Sequence, residues 1–455
     1  KKEKKISNDA YCWLKLNKYE KTYECNIENY INKYGSWKDV LYFMSKIYKN
    51  RNYNDIFESK LFAEKLIEDK TNYDNNESVS LCAKWCPSEK SEYQKKYNIY
   101  NKIMYNILDL DLTEETDKKN KNEYFRKNYL TPLRNKIDIV ETKMCKTDWK
   151  NINYENVPSI ATKKYKNAFM KNDEERYMQY LNNVSKGIQK INVTGILPHE
   201  LVKYYLEDFD REIDLTIENQ WKTILDNMKK SELFNELIAV VDVSGSMFSA
   251  SNGSIPAQVA IALGLLISNC STGLFKNTVI SFHSTPSFHK VTGTSLKEQI
   301  LSIINADWGF NTNFEKIADL IIDYGKNNKL ENNEMPKKLV ILSDMQFDEA
   351  VREDNDTEKG SELELLYNTF SNKFKKNDYE VPKMIYWNLN SDNSKSFPVN
   401  AKVKNTAIIS GFSEQLLKIF MTYDDFSPEI ILDSILEKYI KEVYIHPDEI
   451  LILYK

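Results

Sequence analysis

The sequence has few of the residues on which several common classes of protein depend. Cysteine occurs six times in 455 residues, and glycine and proline occur only 12 and 11 times. Six thiols spread over a chain of this length do not resemble the dense framework of a small secreted domain, so their spacing favours a reducing compartment. No apolar run approaches the roughly 18 residues that a transmembrane helix needs, so we expect no membrane segment.

Motifs of several enzyme classes are also missing. The chain contains no G-x-x-x-x-G-K-[ST] phosphate loop, no G-x-G-x-x-G dinucleotide fingerprint and no G-x-S-x-G nucleophile elbow. It has four histidines. His283 follows a predicted strand, where a structural role is favoured over that of a general base. We therefore expect that the protein is not an enzyme.

Charge is divided unevenly along the chain. Residues 1–230 contain 42 basic and 36 acidic residues, whereas residues 231–455 contain 21 and 31. The balance is therefore +6 in the first part and −10 in the second, within an overall net charge of −4. The basic part is compatible with a polyanion and the acidic part with a cation site.

The spacing of apolar residues changes at about residue 230. Before this point it is helical nearly throughout, without strand alternation. We therefore predict an all-helical array over residues 1–230, of the α-solenoid or HEAT type. Over residues 231–455, short strands alternate with helices of about ten to fifteen residues, which predicts a doubly wound, mostly parallel, Rossmann-type sheet.

The second domain can be divided into predicted elements. Strands are predicted near residues 236–242, 277–283, 338–343, 382–388 and 406–410. Helices are predicted near residues 255–271, 295–305, 313–325, 361–376 and 413–422. A further helix over residues 428–445 and an edge strand near residues 449–454 are expected at its end. Ser295 and Glu298 have the spacing of a capping box.

The most informative segment is Asp-Val-Ser-Gly-Ser at residues 242–246. It follows an apolar run that predicts a buried strand, so Asp242, Ser244 and Ser246 are expected on a tight loop between a strand and a helix. A carboxylate and two hydroxyls, without histidine or cysteine, suit a hard cation such as Mg²⁺. A simpler interpretation is that these side chains cap the following helix.

Two later loops supply further oxygen atoms. Thr312 lies in a Gly/Asn loop ahead of a predicted helix, and Asp344 directly follows the predicted strand at residues 338–343. In an open parallel sheet, such loops gather at the carboxyl ends of the strands, where ligands bind. We therefore expect Thr312 and Asp344 to converge with the motif at residues 242–246.

This order of Asp-x-Ser-x-Ser, then Thr, then Asp resembles the metal-ion-dependent adhesion site (MIDAS) of von Willebrand factor A domains. The resemblance implies that Ser244, Ser246 and Thr312 are direct ligands of Mg²⁺, or of Mn²⁺ or Ca²⁺, and that Asp242 and Asp344 bind it mainly through water. It also implies a coordination position for an acidic group of a partner protein. The chain departs from that family in both later loops, which lack the usual glycine after the aspartate and before the threonine.

Several stretches together resemble a second family. They are residues 80–88, 129–134, 155–161, 307–313 and 343–347. As a set, they are similar to the family known as domain of unknown function 2828, found in plants, protists and giant viruses, over roughly residues 5–440. The layout of that family, a helical array followed by an adhesion-type domain, is similar to that of the TROVE-module Ro ribonucleoproteins. Those proteins bind structured RNAs and RNA ends.

We therefore expect a binding protein that engages an acidic group of a partner protein through a divalent cation. The first alternative is a Ro-like protein that binds structured or single-stranded RNA through basic, aromatic-containing stretches such as residues 163–171 and 124–129. In both stretches, a helix with core aromatics and solvated lysines is the simpler interpretation. The second alternative is a metal-dependent enzyme that cleaves phosphodiesters. The expected location is the cytoplasm, or a virion if the chain comes from a giant virus.

Overall fold

The computed structural model of the protein describes residues 37–50, 57–111, 118–137, 139–230, 237–248, 256–281, 285–306, 314–343, 361–389 and 405–410. Two compact units follow one another in the chain, and the boundary between them lies between Ile152 and Asn153. This boundary lies within the predicted helical array, whereas the secondary-structure pattern changes at about residue 230. The elements predicted at residues 413–422, 428–445 and 449–454 lie outside the described residues.

The first unit contains helices and no strand among its described residues. Its helices are α1 (Trp37–Asn50), α2 (Phe57–Asp74), α3 (Cys82–Trp85), α4 (Glu92–Tyr97), α5 (Ile99–Asp111), α6 (Lys118–Phe125), α7 (Thr131–Lys136) and α8 (Val140–Cys145). Apolar side chains of α1, α2, α3, α5, α6 and α7 share one core. Arg134 of α7 ties the end of α3 to this core, since its guanidinium donates to Ala83 O at 2.9 Å and to Cys86 O at 2.7 Å.

A π-helical turn at Arg126–Leu130 joins α6 to α7. Pro132 follows within α7. Proline has no N–H to donate, and its ring collides with the carbonyl group four residues earlier. A wider turn just before Pro132 relieves this collision, so the helical direction continues without a break.

The second unit begins with three helices and continues with a mixed sheet. The helices before the sheet are α9 (Ser159–Ser185), α10 (Pro198–Leu206) and α11 (Leu215–Lys229). The strands are β1 (Leu237–Val241), β2 (Thr278–Ser281), β3 (Phe288–Lys290), β4 (Lys338–Ser343), β5 (Lys383–Asn388) and β6 (Thr406–Ser410). The helices between the strands are α12 (Pro256–Cys270), α13 (Leu296–Ile304), α14 (Phe314–Asn327) and α15 (Ser361–Lys376).

The strand order in the sheet is β3-β2-β1-β4-β5-β6. β1 pairs in parallel with β2 on one side and with β4 on the other, and β5 and β6 continue the parallel series. β3 pairs with β2 in the antiparallel direction. The order of the strands therefore reverses between β1 and β4, which makes their carboxyl ends a topological switch point.

Alternate residues of each strand face two different cores, because successive side chains point to opposite faces of a sheet. In β1, Leu237, Ala239 and Val241 contact a core that also contains side chains of α10, α11, α12 and α13. Ile238 and Val240 contact a second core formed with α14 and α15. The sheet is therefore covered by helices on both faces.

Helix α12 is enclosed on all sides. Every residue of α12 except Asn269 is buried, and a helix that is apolar all round needs cover from every direction. The sheet covers one side, and α10 and α11 supply apolar side chains to the same core. By packing, these two helices belong with the sheet, although they precede it in the chain.

The five strands predicted from the sequence are confirmed to within one or two residues, as are the four predicted helices among the described residues. The capping box is present as well, since Ser295 accepts from Glu298 N and the Glu298 carboxylate accepts from Ser295 N. The edge strand β3 was not predicted, because three residues are too few to show alternation. The sheet is accordingly mixed rather than wholly parallel.

His199 of α10 makes the stability of the second unit depend on pH. Burial, with smaller contributions from the Lys163 and Lys203 ammonium groups, lowers the pKa of His199 from 6.5 to about 4. The unfolded chain therefore binds a proton at a pH at which the folded chain does not, and this contribution to stability is lost as the pH falls from about 6.5 towards 4. We expect His199 to lower the free energy of unfolding by about 2 kcal/mol between pH 7 and pH 5.

Urea unfolding of the wild type and of His199→Gln at pH 7 and pH 5 measures this effect. The variant is expected to lose less stability on acidification than the wild type does. Equal losses in the two proteins would show that His199 is not responsible.

Candidate metal centre

The motif at residues 242–246 lies at the carboxyl end of β1, in the middle of the sheet. The backbone N–H of Asp242 donates to Leu342 O at 3.0 Å, so the pairing with β4 continues one residue beyond β1. Asp242 is 4% exposed. An ionised carboxylate is costly to bury unless hydrogen bonds or a cation compensate it. The position of this side chain is therefore a candidate site for a cation.

Donors from two separate chain segments hold the Asp242 carboxylate. The backbone N–H of Ser244 donates to Oδ1 at 2.9 Å, and the hydroxyl of Ser343 donates to Oδ2 at 2.7 Å. The first donor comes from the same loop, and the second comes from the last residue of β4. Hydrogen bonds to an ionised acceptor are about twice as strong as those between neutral groups. The carboxylate is thus oriented at the switch point between β1 and β4.

The two serine hydroxyls of the motif lie side by side. Ser244 Oγ and Ser246 Oγ are hydrogen-bonded to each other at 3.1 Å, and both side chains are partly exposed. A 3₁₀ turn at Gly245–Phe248 brings them together, and the buried side chain of Met247 anchors this turn. Two neighbouring ligands of an octahedral Mg²⁺ ion, each about 2.1 Å from the metal, are about 3 Å apart. The separation of the two hydroxyls therefore fits Mg²⁺ or the similar Mn²⁺.

Of the five residues predicted for this site, the structure brings together Asp242, Ser244 and Ser246. Thr312 and Asp344 lie outside the described residues. In the sequence, Thr312 falls between α13 and α14, and Asp344 directly follows Ser343. Among the described residues, there is no group of three or more His, Cys, Asp or Glu that could hold a metal ion. The candidate centre differs from such groups because hydroxyl oxygens supply part of it.

Asp69 in the first unit offers a useful comparison. Its buried carboxylate also accepts two hydrogen bonds, from Ser80 N at 2.9 Å and from the Ser80 hydroxyl at 2.6 Å. Both donors belong to one residue of one loop, so they explain Asp69 as a local link between α2 and α3. A doubly bonded buried aspartate is thus not by itself a metal site. Asp242 differs from Asp69 because a pair of hydroxyls lies beside it and because it lies at the carboxyl ends of the two central strands.

The contact of Ser343 with Asp242 is not predicted by the sequence pattern. Ser343 was assigned to a strand, and only its neighbour Asp344 was predicted as a ligand. The pairing of β1 with β4, in which Val241 lies opposite Leu342, puts Ser343 opposite Asp242. Strand pairing over this distance in the chain cannot be deduced from the periodicity of either segment.

The two stretches considered for RNA binding each contain buried aromatic side chains. In residues 163–171, Phe169 is fully buried, and Lys166 is 7% exposed and paired with Asp214. In residues 124–129, Phe125 and Tyr129 are buried. Phe125, Tyr129 and Phe169 are therefore core aromatics, whereas Lys166 is a buried lysine in an ion pair and not a solvated one. Tyr124 and Tyr165 remain partly exposed.

The close pair Cys82 and Cys86 is also buried. Burial raises the pKa of the Cys86 thiol to about 12 and raises that of Cys82 well above its usual value. Among the described residues, no further His, Cys, Asp or Glu completes a group with these two thiols that could hold a metal ion. Within the ranges that the structure describes, every helix is too short or too polar to cross a bilayer.

Comparisons with known proteins divide the chain in two. Residues 39–233 match the family model described as Domain of unknown function (DUF2828), and residues 236–443 match a model described as Domain of unknown function (DUF7788). The resemblance expected over roughly residues 5–440 is thus shared by two adjacent models. The chain is also similar to Uncharacterized protein L728 of Acanthamoeba polyphaga mimivirus. The two are 34% identical over 467 residues, which cover 97% of this chain and 77% of the viral protein.

Proposed function

We propose a function from the premise that this chain belongs to the family described as Domain of unknown function (DUF2828). In this proposal the protein is a binding protein, not an enzyme, and it engages an acidic side chain of a partner protein through a divalent cation. Asp242, Ser244 and Ser246 hold the cation, with Thr312 and Asp344 from the two later loops. Mg²⁺ is the preferred ion, and Mn²⁺ and Ca²⁺ are alternatives.

The observation that carries the proposal is the pair of hydroxyls 3.1 Å apart beside the buried, oriented carboxylate of Asp242. A bound dication supplies a positive centre to which a carboxylate of the partner can coordinate. The hydroxyls of Ser244 and Ser246 are neutral direct ligands, and Asp242 and Asp344 bind mainly through water in this proposal, so no direct ligand from the protein carries a negative charge. Asp242 contributes one negative charge, and its burial at the switch point keeps it directed towards this edge of the sheet.

The fold supports a von Willebrand A-like assignment for the second domain. The strand order with β1 beside β4, the antiparallel edge strand β3 and the helices on both faces are compatible with a doubly wound domain of this class. For the helical region, we propose a HEAT or TROVE-like array. For the location, we propose the cytoplasm, or a virion if the chain is viral like its mimivirus relative.

We do not extend the proposal to RNA. Aromatic side chains that stack on bases must be accessible, and Phe125, Tyr129 and Phe169 are core residues. Cleavage of phosphodiesters has less support still, because the described part of the site supplies hydroxyls and one carboxylate without an evident base to activate water.

Direct titration with Mn²⁺ tests the cation site. Asp242→Asn is expected to raise the Kd for Mn²⁺ by roughly 100-fold or more, since even the indirect partners of metal ligands contribute about 10- to 100-fold. The matched control is Asp69→Asn, which removes another buried, doubly bonded carboxylate from the other unit and should leave the Kd unchanged. Isothermal titration calorimetry on the full chain, with circular dichroism to check folding, gives both values. Equal Kd values for the wild type and Asp242→Asn would exclude the site.

The partner is tested by crosslinking and co-purification from cell extract in Mg²⁺ or in EDTA. A genuine partner should be captured by the wild type and by Asp69→Asn in Mg²⁺ only, and not by Asp242→Ala. Identification of both proteins and RNA in the captured material separates the main proposal from RNA binding. Capture that is insensitive to EDTA would contradict an adhesion site.

A further inference from the structure

Ser343 and Asp242 lie side by side on the two central strands. Val241 of β1 is paired with Leu342 of β4, and the N–H of Asp242 donates to Leu342 O. The next residues along each strand are Asp242 and Ser343, and the Ser343 hydroxyl donates to Asp242 Oδ2 at 2.7 Å. This hydrogen bond joins two residues that are 101 positions apart in the sequence. It therefore links the carboxyl ends of β1 and β4, the two strands that Asp242 and Asp344 directly follow in the sequence.

The backbone at Ser343 is held by the sheet. Ser343 lies opposite Asn388 in the pairing of β4 with β5, and its carbonyl accepts from Leu389 N at 3.0 Å. The residue is 1% exposed. Because Ser343 is the last residue of β4 and its carbonyl is bonded to the main chain after β5, its hydroxyl is held beside Asp242.

We infer that Ser343 is a positioning residue, which orients the Asp242 carboxylate towards the cation. The inference rests on the proposed function. Ser244 N donates to one carboxylate oxygen and Ser343 Oγ to the other, and the two donors come from different chain segments. Together they fix the plane of the carboxylate, with one bond to each oxygen. The carboxylate is then held in one orientation before the ion arrives.

The alternative is that Ser343 is an ordinary buried hydroxyl that needs a hydrogen-bond partner. Ser281 shows what such a residue looks like in this sheet. It is the last residue of β2 and is also 1% exposed. Its hydroxyl lies 3.1 Å from Ser287 Oγ and accepts from Ser287 N at 3.0 Å, within the connection from β2 to β3. Ser281 therefore ties a local hairpin together, whereas Ser343 is bonded to the carboxylate of another strand.

These two serines provide a matched pair of variants. Ser343→Ala and Ser281→Ala each remove one buried hydroxyl from the end of a neighbouring parallel strand, but only the first removes a donor to Asp242. Ser343→Thr keeps the hydroxyl, and Ser343→Cys keeps nearly the same volume with a much weaker donor. The Kd for Mn²⁺ on the full chain is measured by electron paramagnetic resonance of the free ion, and thermal unfolding in EDTA reports on the fold.

The expected result is a Kd raised at least about tenfold in Ser343→Ala and Ser343→Cys, in the range typical of residues that orient metal ligands. Ser343→Thr should stay within about threefold of the wild type, and Ser281→Ala should be unchanged even if its melting temperature falls. A structural role alone would lower the melting temperature of Ser343→Ala as it does for Ser281→Ala, without a separate loss of Mn²⁺ affinity.

The outcomes separate this inference from the proposed function. If the wild type does not bind Mn²⁺, the cation site itself is rejected. If the wild type binds and either Ser343→Ala or Ser343→Cys binds equally well, the site stands and the role of Ser343 is rejected. Failure of Ser343→Thr to restore affinity in a folded protein would also reject it. If Ser343→Ala does not fold, the Kd values of Ser343→Cys and Ser343→Thr for Mn²⁺ test the role of Ser343.

Discussion

A chain that begins at residue 231 is expected not to fold, whereas one that begins at Asn153 is expected to fold. The first of these starts near the junction of the two family models, which match residues 39–233 and 236–443. The second starts at the boundary between the compact units. The two starting points differ by the helices α9, α10 and α11, so the comparison tests whether these helices are part of the sheet domain.

The reason for the difference is the core on one face of the sheet. Nine buried side chains from before residue 231 belong to it: Ile196, Leu201, Val202, Tyr205, Ile217, Trp221, Ile224, Leu225 and Met228. They lie in the same core as α12 and alternate residues of β1, β4 and β5. Their removal would expose the apolar outer side of α12 to water.

The magnitude of this loss exceeds what a domain can tolerate. Full burial of a large apolar side chain contributes about 1.5–3 kcal/mol. The apolar surface of α12 and the sheet that nine such side chains cover therefore contributes up to roughly 14–27 kcal/mol as an upper limit. The net stability of a domain is only about 5–15 kcal/mol. The shorter chain should therefore be aggregated or disordered in solution.

Whether each truncated chain folds is measured by its soluble yield, its circular dichroism and the cooperativity of its unfolding in urea. A cooperative transition in the chain that begins at residue 231, similar to that of the longer one, would show that α10 and α11 are dispensable. The fall-back variant Trp221→Ala in the full chain is expected to cost about 3–5 kcal/mol, as is typical for a buried tryptophan.

Substitution of Gly264 is expected to be the most damaging single change near the candidate centre. Gly264 lies in α12 where the helix crosses β1, and a Cβ added there would lie 2.6 Å from Cγ2 of Val241. Valine is branched at Cβ and has one preferred side-chain rotamer, so it cannot turn aside without cost. Val241 also directly precedes Asp242, so displacement of β1 would move the site.

We expect Gly264→Val to lower the free energy of unfolding by about 3 kcal/mol or more, and Gly264→Ala by about 1–2 kcal/mol. Overpacking typically costs about 1–3 kcal/mol, and alanine regains up to about 1 kcal/mol of helix propensity. Urea unfolding of the full chain gives these values.

A second substitution tests whether the contact between residue 264 and Val241 causes this loss of stability. Val241→Ala opens space opposite residue 264, so the double variant Gly264→Ala with Val241→Ala should be more stable than the sum of the two single changes allows. Gly245→Ala is the control, since no atom of the described residues lies within 4 Å of its Cβ position, and its stability should change little. Strict additivity in the double variant would show that the helix–strand contact is not the cause.

Much of the second domain could be predicted from the sequence. The strands at residues 338–343 and 406–410 have the predicted bounds, because a short apolar run between polar segments has few other ways to bury itself. The motif at residues 242–246 was recognised because its three oxygen-bearing residues are close together in the chain. β3 was not predicted, because it has only three residues and none of their side chains is buried.

The sequence by itself determined the local conformations, the apolar faces of the helices and strands, and the presence of oxygen-bearing side chains at the end of β1. Only the tertiary structure decided which surfaces meet: that α10 and α11 close the core over α12, and that the Ser343 hydroxyl reaches the Asp242 carboxylate. The physical reason is that periodicity records which side of an element is apolar, since that depends on residues a few positions apart. It does not record the partner of that side, because contacts between residues 101 positions apart depend on the packing of the whole domain.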